Sequence, residues 1–183
     1  ENDIDILLEA VLKNANVNEG RPEKSVGREG IDYYNQLGYV PYDVGINENA
    51  ARTLEYAYAD FTIAEMAKKM NRTDISERFY KQSKNYKYLF DPESRWMRGK
   101  NKDGTFQKPF NPLKWGDAFT EGNSLHYSWS VFHDIQGLMN LMGGDQEFTK
   151  MLDNVFTMPP KFDDSYYGFT IHEIREMQIV NMG

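Results

Sequence analysis

The sequence predicts an all-α chain of successive helical hairpins interrupted by one long irregular loop, and three observations predict it. Apolar residues recur at helical spacing in separate stretches, beginning with Ile4, Leu7, Leu8, Val11 and Leu12. The most regular stretch sets Ala50, Leu54, Ala57, Tyr58, Phe61, Ala64 and Met70 on one stripe, interleaved with Arg52, Glu55, Asp60, Glu65, Lys68 and Lys69. Between 91 and 120, by contrast, Pro92, Gly99, Gly104, Pro109, Pro112 and Gly116 punctuate the chain and rule out a continuous helix.

The elements follow in order. A first helix spans 3–13, and 14–27 is a polar connector without periodicity. A short helix over 28–37 ends at Gly38, a natural helix stop, because Pro41 forbids helical dihedrals just beyond it. The amphipathic helix starts near Asn47 and runs for about six turns. Asn71-Arg72-Thr73 breaks it; Asp74 with Glu77 three residues on reads as a capping box opening the next helix. Ile75, Phe79, Tyr86 and Phe90 form that helix's buried face, and Asp91-Pro92 closes it, so the two helices make an antiparallel hairpin. Inside the loop, Asp103-Gly104 marks a small β-hairpin between Trp96-Met97 and Thr105-Phe106. Helix returns over 123–132 and 134–142, ends at Gly143-Gly144, and resumes over 145–156 and 171–180, with 158–168 as loop.

With 183 residues the chain suits one domain. Lys plus Arg is 21 against 28 Asp plus Glu, for a net charge of −7, so the positive field needed for nucleic acid or an anionic membrane surface is missing. No apolar run reaches the roughly 18 residues of a membrane helix. The start at Glu1, already within a helical pattern, reads as processed or cut. Absent cysteine excludes disulfides and thiol catalysis. His126, His133 and His172 do not pair at metal-ligand spacing, so no metal site made by this chain alone is expected. Gly143-Gly144 lacks the continuation of a phosphate loop, and no serine sits in a nucleophile elbow. Asn71-Arg72-Thr73 matches a glycosylation sequon but coincides with a helix junction and is assigned no function. Aromatic residues make up 14% of a chain whose mean hydropathy is −0.71, and rings with polar tips suit wet concave surfaces.

The segment from Trp115 to Trp129 concentrates Asp117, Glu121, Asn123 and His126 among rings at a loop-to-helix junction. Two readings of Glu121 stand side by side. A carboxylate at a helix N-terminus is favoured in its charged form by the dipole and simply caps. Aromatic neighbours that strip away its water would instead make it a proton donor. Trp96 and Trp115 either pack or stack on a sugar ring, and Trp129 belongs to the core of its helix. His133-Asp134 opens a helix, with the imidazole hydrogen-bonded in a polar wall.

Leu37-Gly38-Tyr39-Val40-Pro41-Tyr42-Asp43, Ala51-Arg52-Thr53-Leu54-Glu55-Tyr56-Ala57-Tyr58-Ala59-Asp60, Asn85-Tyr86-Lys87-Tyr88-Leu89-Phe90-Asp91-Pro92, Met97-Arg98-Gly99, Phe119-Thr120-Glu121-Gly122-Asn123 and Gly137-Leu138-Met139-Asn140-Leu141-Met142-Gly143-Gly144 resemble, in this order and spacing, glycoside hydrolase family 92. The likeness covers about 28–156. It implies a segment of the (α/α)6 toroid of an exo-acting α-mannosidase, whose N-terminal β-sandwich and remaining barrel are not in this chain. It also implies inversion, calcium dependence, α-1,2 linkage preference, a mannose-containing glycan as substrate, and a secreted or periplasmic setting.

By the same resemblance Glu121 is the general acid, Asn123, Asp117 and His126 its polar neighbours or substrate contacts, and Trp115 a stacking wall. An inverting glycosidase needs a second carboxylate roughly 6.5–9.5 Å away to activate water. The resemblance places that base and the calcium ligands in motifs downstream of Gly183, so the isolated chain is expected to be inactive and to associate through exposed apolar faces. Where family members commonly continue as Asn-Ala-Trp-Gln-Tyr, this chain has Asn123-Ser124-Leu125-His126-Tyr127. The rivals are a non-catalytic helical-repeat binding module, which needs a second copy of the 47–90 hairpin that the sequence lacks, and an (α/α) glycosidase for another sugar. Glu121 separates the first rival from catalysis: an exposed cap in a repeat scaffold, a group at a concave mouth in an enzyme.

Overall fold

The structure is a computed structural model that describes residues 3–16, 27–159, 163, 165 and 166. Seven α-helices are described: α1 (Asp3–Asn16), α2 (Ile31–Leu37), α3 (Asn49–Lys69), α4 (Thr73–Gln82), α5 (Ser124–Tyr127), α6 (Ile135–Leu141) and α7 (Asp145–Thr157). Two short strands, β1 (Phe90–Asp91) and β2 (Trp96–Met97), pair antiparallel with Phe90 opposite Met97. The expected all-α class with one irregular loop is what the chain forms. The expected helix over 171–180 and His172 lie outside the described residues, as does most of the 14–27 connector.

The long helix and its hairpin partner organise the fold. Ala50, Leu54, Ala57 and Ala64 face inward from α3, and small residues let α4 and α1 approach closely. Ser76 of α4 crosses the helix contact to donate to the Ala64 carbonyl at 3.0 Å. Ala15, Ile63, Ala64 and Phe79 join α1, α3 and α4 in one apolar cluster. A larger cluster centred on Leu54, Tyr86, Met97, Phe119 and Leu138 ties α3 to the loop and to α6. The other side of α1 leaves Ile4, Ile6 and Leu7 about half exposed.

Several local expectations need correction. Asp60, expected on the polar face of α3, is wholly buried, because Arg28 at 2.6 Å and the Tyr34 hydroxyl at 2.8 Å follow it into the core. Tyr58, expected in the buried stripe, is exposed. No Asp74 capping box forms: Arg72 stands at the N-cap of α4 without a side-chain bond. That helix stops at Gln82, and a 3-10 turn over Asn85–Leu89 carries Tyr86 and Leu89 into the core instead.

The β-hairpin expected around Asp103-Gly104 exists with different partners. Lys100 bridges Phe106, closed by Asn101 N–H to the Thr105 carbonyl at 2.7 Å, whereas Trp96-Met97 pairs back onto Phe90-Asp91. The helix expected over 123–132 is a single turn, α5. Its Ser128 hydroxyl bonds back to the Ser124 carbonyl at 2.7 Å and accepts the Met97 amide at 2.9 Å, welding the turn to β2. Trp129 therefore lies beyond α5, edge-on to Trp96 and Phe148.

Candidate active site

The segment that concentrates chemistry is a closed loop seated on the start of α3. Gly116 N–H donates to the Gly122 carbonyl at 2.8 Å, pinching the loop shut, and Phe119 N–H donates to the Gly116 carbonyl at 3.2 Å. The first amides of a helix have no partners within it, and α3 has no side-chain cap. The loop supplies what is missing. The Asp117 carbonyl accepts Glu48 N–H at 3.0 Å, and the Ala118 carbonyl accepts Ala50 and Ala51 N–H at 3.0 and 3.1 Å. The longest helix thus fixes the loop's position.

Within the loop, Asp117 and Glu121 both adopt left-handed backbone, with φ of 64° and 44°. The Asp117 carboxylate is occupied, accepting from Lys114 Nζ at 2.8 Å and from the Tyr42 hydroxyl at 3.0 Å. Burial and that carboxylate push the Tyr42 hydroxyl up to about 12. Glu121 differs. Its side chain is exposed and has no hydrogen bond or ion pair among the described residues.

Nor does Glu121 cap a helix. That task falls to Asn123, which is fully buried and whose Oδ1 accepts the amides of Leu125 at 3.0 Å and His126 at 3.3 Å. His126 returns the favour, its Nδ1 accepting Asn123 N–H at 3.2 Å. This is a reciprocal capping box in which histidine occupies the third helical position, where Gln or Glu usually reaches back. The departure from the Gln of the resembling family therefore keeps the cap. Accepting at Nδ1 places the ring proton on Nε2, and burial lowers the imidazole's proton affinity, so it is held neutral. Trp115 is 2% exposed and meets His126 edge-on at 5.7 Å, so in these residues its ring packs on the histidine.

All five residues singled out in the sequence fall in one loop and helix turn, but only Glu121 among them is exposed. Two hollows flank the region. A crevice of about 10 Å³, room for roughly one water, is lined by Gln107, Phe110, Lys114 and Asp117. An apolar cleft of about 230 Å³ lies between Trp96, Leu113, Leu125, Val155 and Met158. Glu121 lines neither. Neither alternative posed by the sequence is met as stated: Glu121 is not a cap, and it is exposed rather than enclosed by aromatic neighbours. Among the described residues no three His, Asp or Glu gather to hold a metal ion.

Two contributors escaped the sequence. Tyr42 reaches Asp117 from 75 positions away, which no local pattern signals. Tyr127 stacks on Phe119 at 5.2 Å and donates to the Thr120 carbonyl at 2.8 Å; its place one turn after a cap was the available signal.

The comparisons with known proteins bear on the whole chain. It matches the Glycosyl hydrolase family 92 catalytic domain over residues 1–183. The chain belongs to glycosyl hydrolase family 92. Among solved family 92 structures, an inverting mannosidase from Bacteroides thetaiotaomicron is 43% identical, with a TM-score of 0.80, covering 100% of this chain and 24% of that one. A family 92 alpha-mannosidase of the same organism, in complex with mannoimidazole, is 32% identical with a TM-score of 0.77, over 88% of this chain and 21% of that one. A curated relative, an uncharacterized secreted glycosidase of Arthroderma benhamiae, is 29% identical in an alignment that covers 82% of this chain and 23% of its own length. The chain thus spans a quarter or less of the length of each of these relatives. Its helical hairpins agree with the helical (α/α) toroid of its family 92 neighbours.

Proposed function

We propose that the protein carrying this segment is a glycoside hydrolase that removes terminal α-linked mannose, of the α-1,2 type, with inversion, and that Glu121 is its general acid. The observation that carries the reading is the contrast within one loop. The backbone around Glu121 is tied down, while its carboxyl is left without a partner among the described residues. Side chains kept for structure are bonded, as Asp117 and Asn123 are; a group that must exchange a proton with a substrate has to remain available.

In this reading Glu121 passes its proton to the glycosidic oxygen as the bond to the anomeric carbon breaks, and water attacks from the opposite face. A second carboxylate takes that water's proton. Asp117 is unsuited to that second role, since Lys114 and Tyr42 occupy it. Asn123, His126 and Trp115 are bonded or packed against one another in the same loop and turn as the acid. The segment is part of an (α/α)6 catalytic domain that works with a β-sandwich elsewhere in the protein, outside the cytoplasm, on mannose-containing glycans. No helix of the described residues is long and apolar enough to cross a membrane. Calcium, when bound, would polarise the sugar or the attacking water; no three His, Asp or Glu of the described residues gather to hold it.

The test is an NMR time course of the full-length protein on α-1,2-, α-1,3- and α-1,6-mannobiose. The reading expects release from the α-1,2 isomer first, with β-mannose as the initial anomer. No release, or α-mannose as the first product, would contradict it.

A further inference from the structure

The Glu121 carboxyl has no partner among the described residues, so what the structure fixes is the backbone from which it projects. That backbone holds φ at 44°, a left-handed conformation that L residues seldom adopt and that persists only where its surroundings impose it. One side chain touches the residues on both sides of Glu121. The Tyr127 hydroxyl donates to the Thr120 carbonyl at 2.8 Å, so it grips the peptide that leads into Glu121. The same ring stacks on Phe119, centroids 5.2 Å apart and planes 29° from parallel. On the far side, a Cβ added to Gly122 would lie 3.2 Å from Tyr127 Cε2, so the ring occupies the space beside the next residue.

We propose that Tyr127 is a positioning residue for the general acid: its hydroxyl and ring together hold the Thr120-Glu121-Gly122 turn in the left-handed conformation that aims Glu121 at the leaving oxygen. This rests on the assignment of Glu121 as the acid. The physical consequence is selective. Removing the hydroxyl frees the Thr120 carbonyl, the peptide before Glu121 rotates, and the carboxyl loses its direction. A misplacement near 1 Å is enough to lose roughly 10²-fold in rate. A substrate whose leaving group needs no proton is indifferent to that loss.

The experiment uses the full-length protein with Tyr127→Phe, with Gly122→Ala as a second route to the same contact, and with Glu121→Gln as reference. Each is assayed on α-1,2-mannobiose and on 2,4-dinitrophenyl α-mannoside, with melting temperatures recorded. Tyr127→Phe is expected to lower kcat on the disaccharide by roughly 10²-fold with KM little changed, and kcat on the dinitrophenyl substrate by less than about threefold. Gly122→Ala is expected to show the same leaving-group pattern. If Glu121→Gln shows the selective loss but Tyr127→Phe and Gly122→Ala slow both substrates equally or neither, Tyr127 does not position the acid. If Glu121→Gln itself shows no selective loss, the acid assignment fails, and this inference with it.

Discussion

Tyr34 and Asp60 meet in the core through a 2.8 Å hydrogen bond, and the carboxylate that accepts it has no exposed surface. Arg28 supplies the opposite charge at 2.6 Å. Burial nevertheless pushes the Asp60 carboxyl above the usual carboxylate range, against the pull of the guanidinium and the tyrosine bond. A raised folded-state value means this group favours folding most at low pH, and that contribution is lost as pH rises through the folded value. Tyr34→Phe removes a bond that favours the charged form. Its penalty is expected at about 2 kcal/mol at neutral pH and smaller near pH 4, as urea unfolding at the two pH values would show. An equal penalty at both would contradict this account.

His126 predicts a pH dependence of the opposite sign. Burial lowers its proton affinity in the folded protein, so below roughly pH 6.5 the unfolded chain binds more protons. The stability present at pH 7 and above is therefore lost as pH falls through the folded value. His126→Gln keeps a side-chain acceptor at the third position of the capping box without a titrating ring. Its denaturation midpoint is expected to fall less between pH 7.5 and pH 5 than that of the unaltered protein.

Asn123 makes the cap of a helix only four residues long. With so few internal bonds, α5 depends on it, and Asn123→Ala is expected to destabilise the protein by about 1 to 2 kcal/mol. Because the cap lies two residues beyond Glu121, mannose release is expected to fall as well. Thermal melts and a mannobiose assay on one preparation check both.

Gly38 ends α2 with φ of 85°, its amide bonded to the Tyr34 carbonyl at 2.9 Å. A Cβ there would lie 2.4 Å from the Tyr88 ring. That ring is half exposed and can move aside, but the left-handed backbone remains, so Gly38→Ala is expected to destabilise by roughly 1 to 2 kcal/mol in a chemical denaturation curve.

What the sequence revealed follows from the range of the interactions involved. The helices of α1, α3, α6 and α7 were legible because their periodicity is local, and so was the stop at Gly38. The burial of Asp60 was not, because its partners Arg28 and Tyr34 lie 32 and 26 positions away. The short length of α5 escaped for the same reason: Ser124 and Ser128 are helix-compatible residues whose hydroxyls are engaged by Met97 of β2. At the site, the motif around Glu121 pointed to the loop. The buried Trp115, the cap made by Asn123 and His126, and the grip of Tyr127 on Thr120 appeared only once the chain was folded.

The central claim is that Glu121 donates the proton to the departing sugar. It is tested most directly by kcat for mannose release from α-1,2-mannobiose by the full-length protein and its Glu121→Gln variant. The account predicts a drop of roughly 10²- to 10⁴-fold with the fold intact. Turnover unchanged by the amide would contradict it.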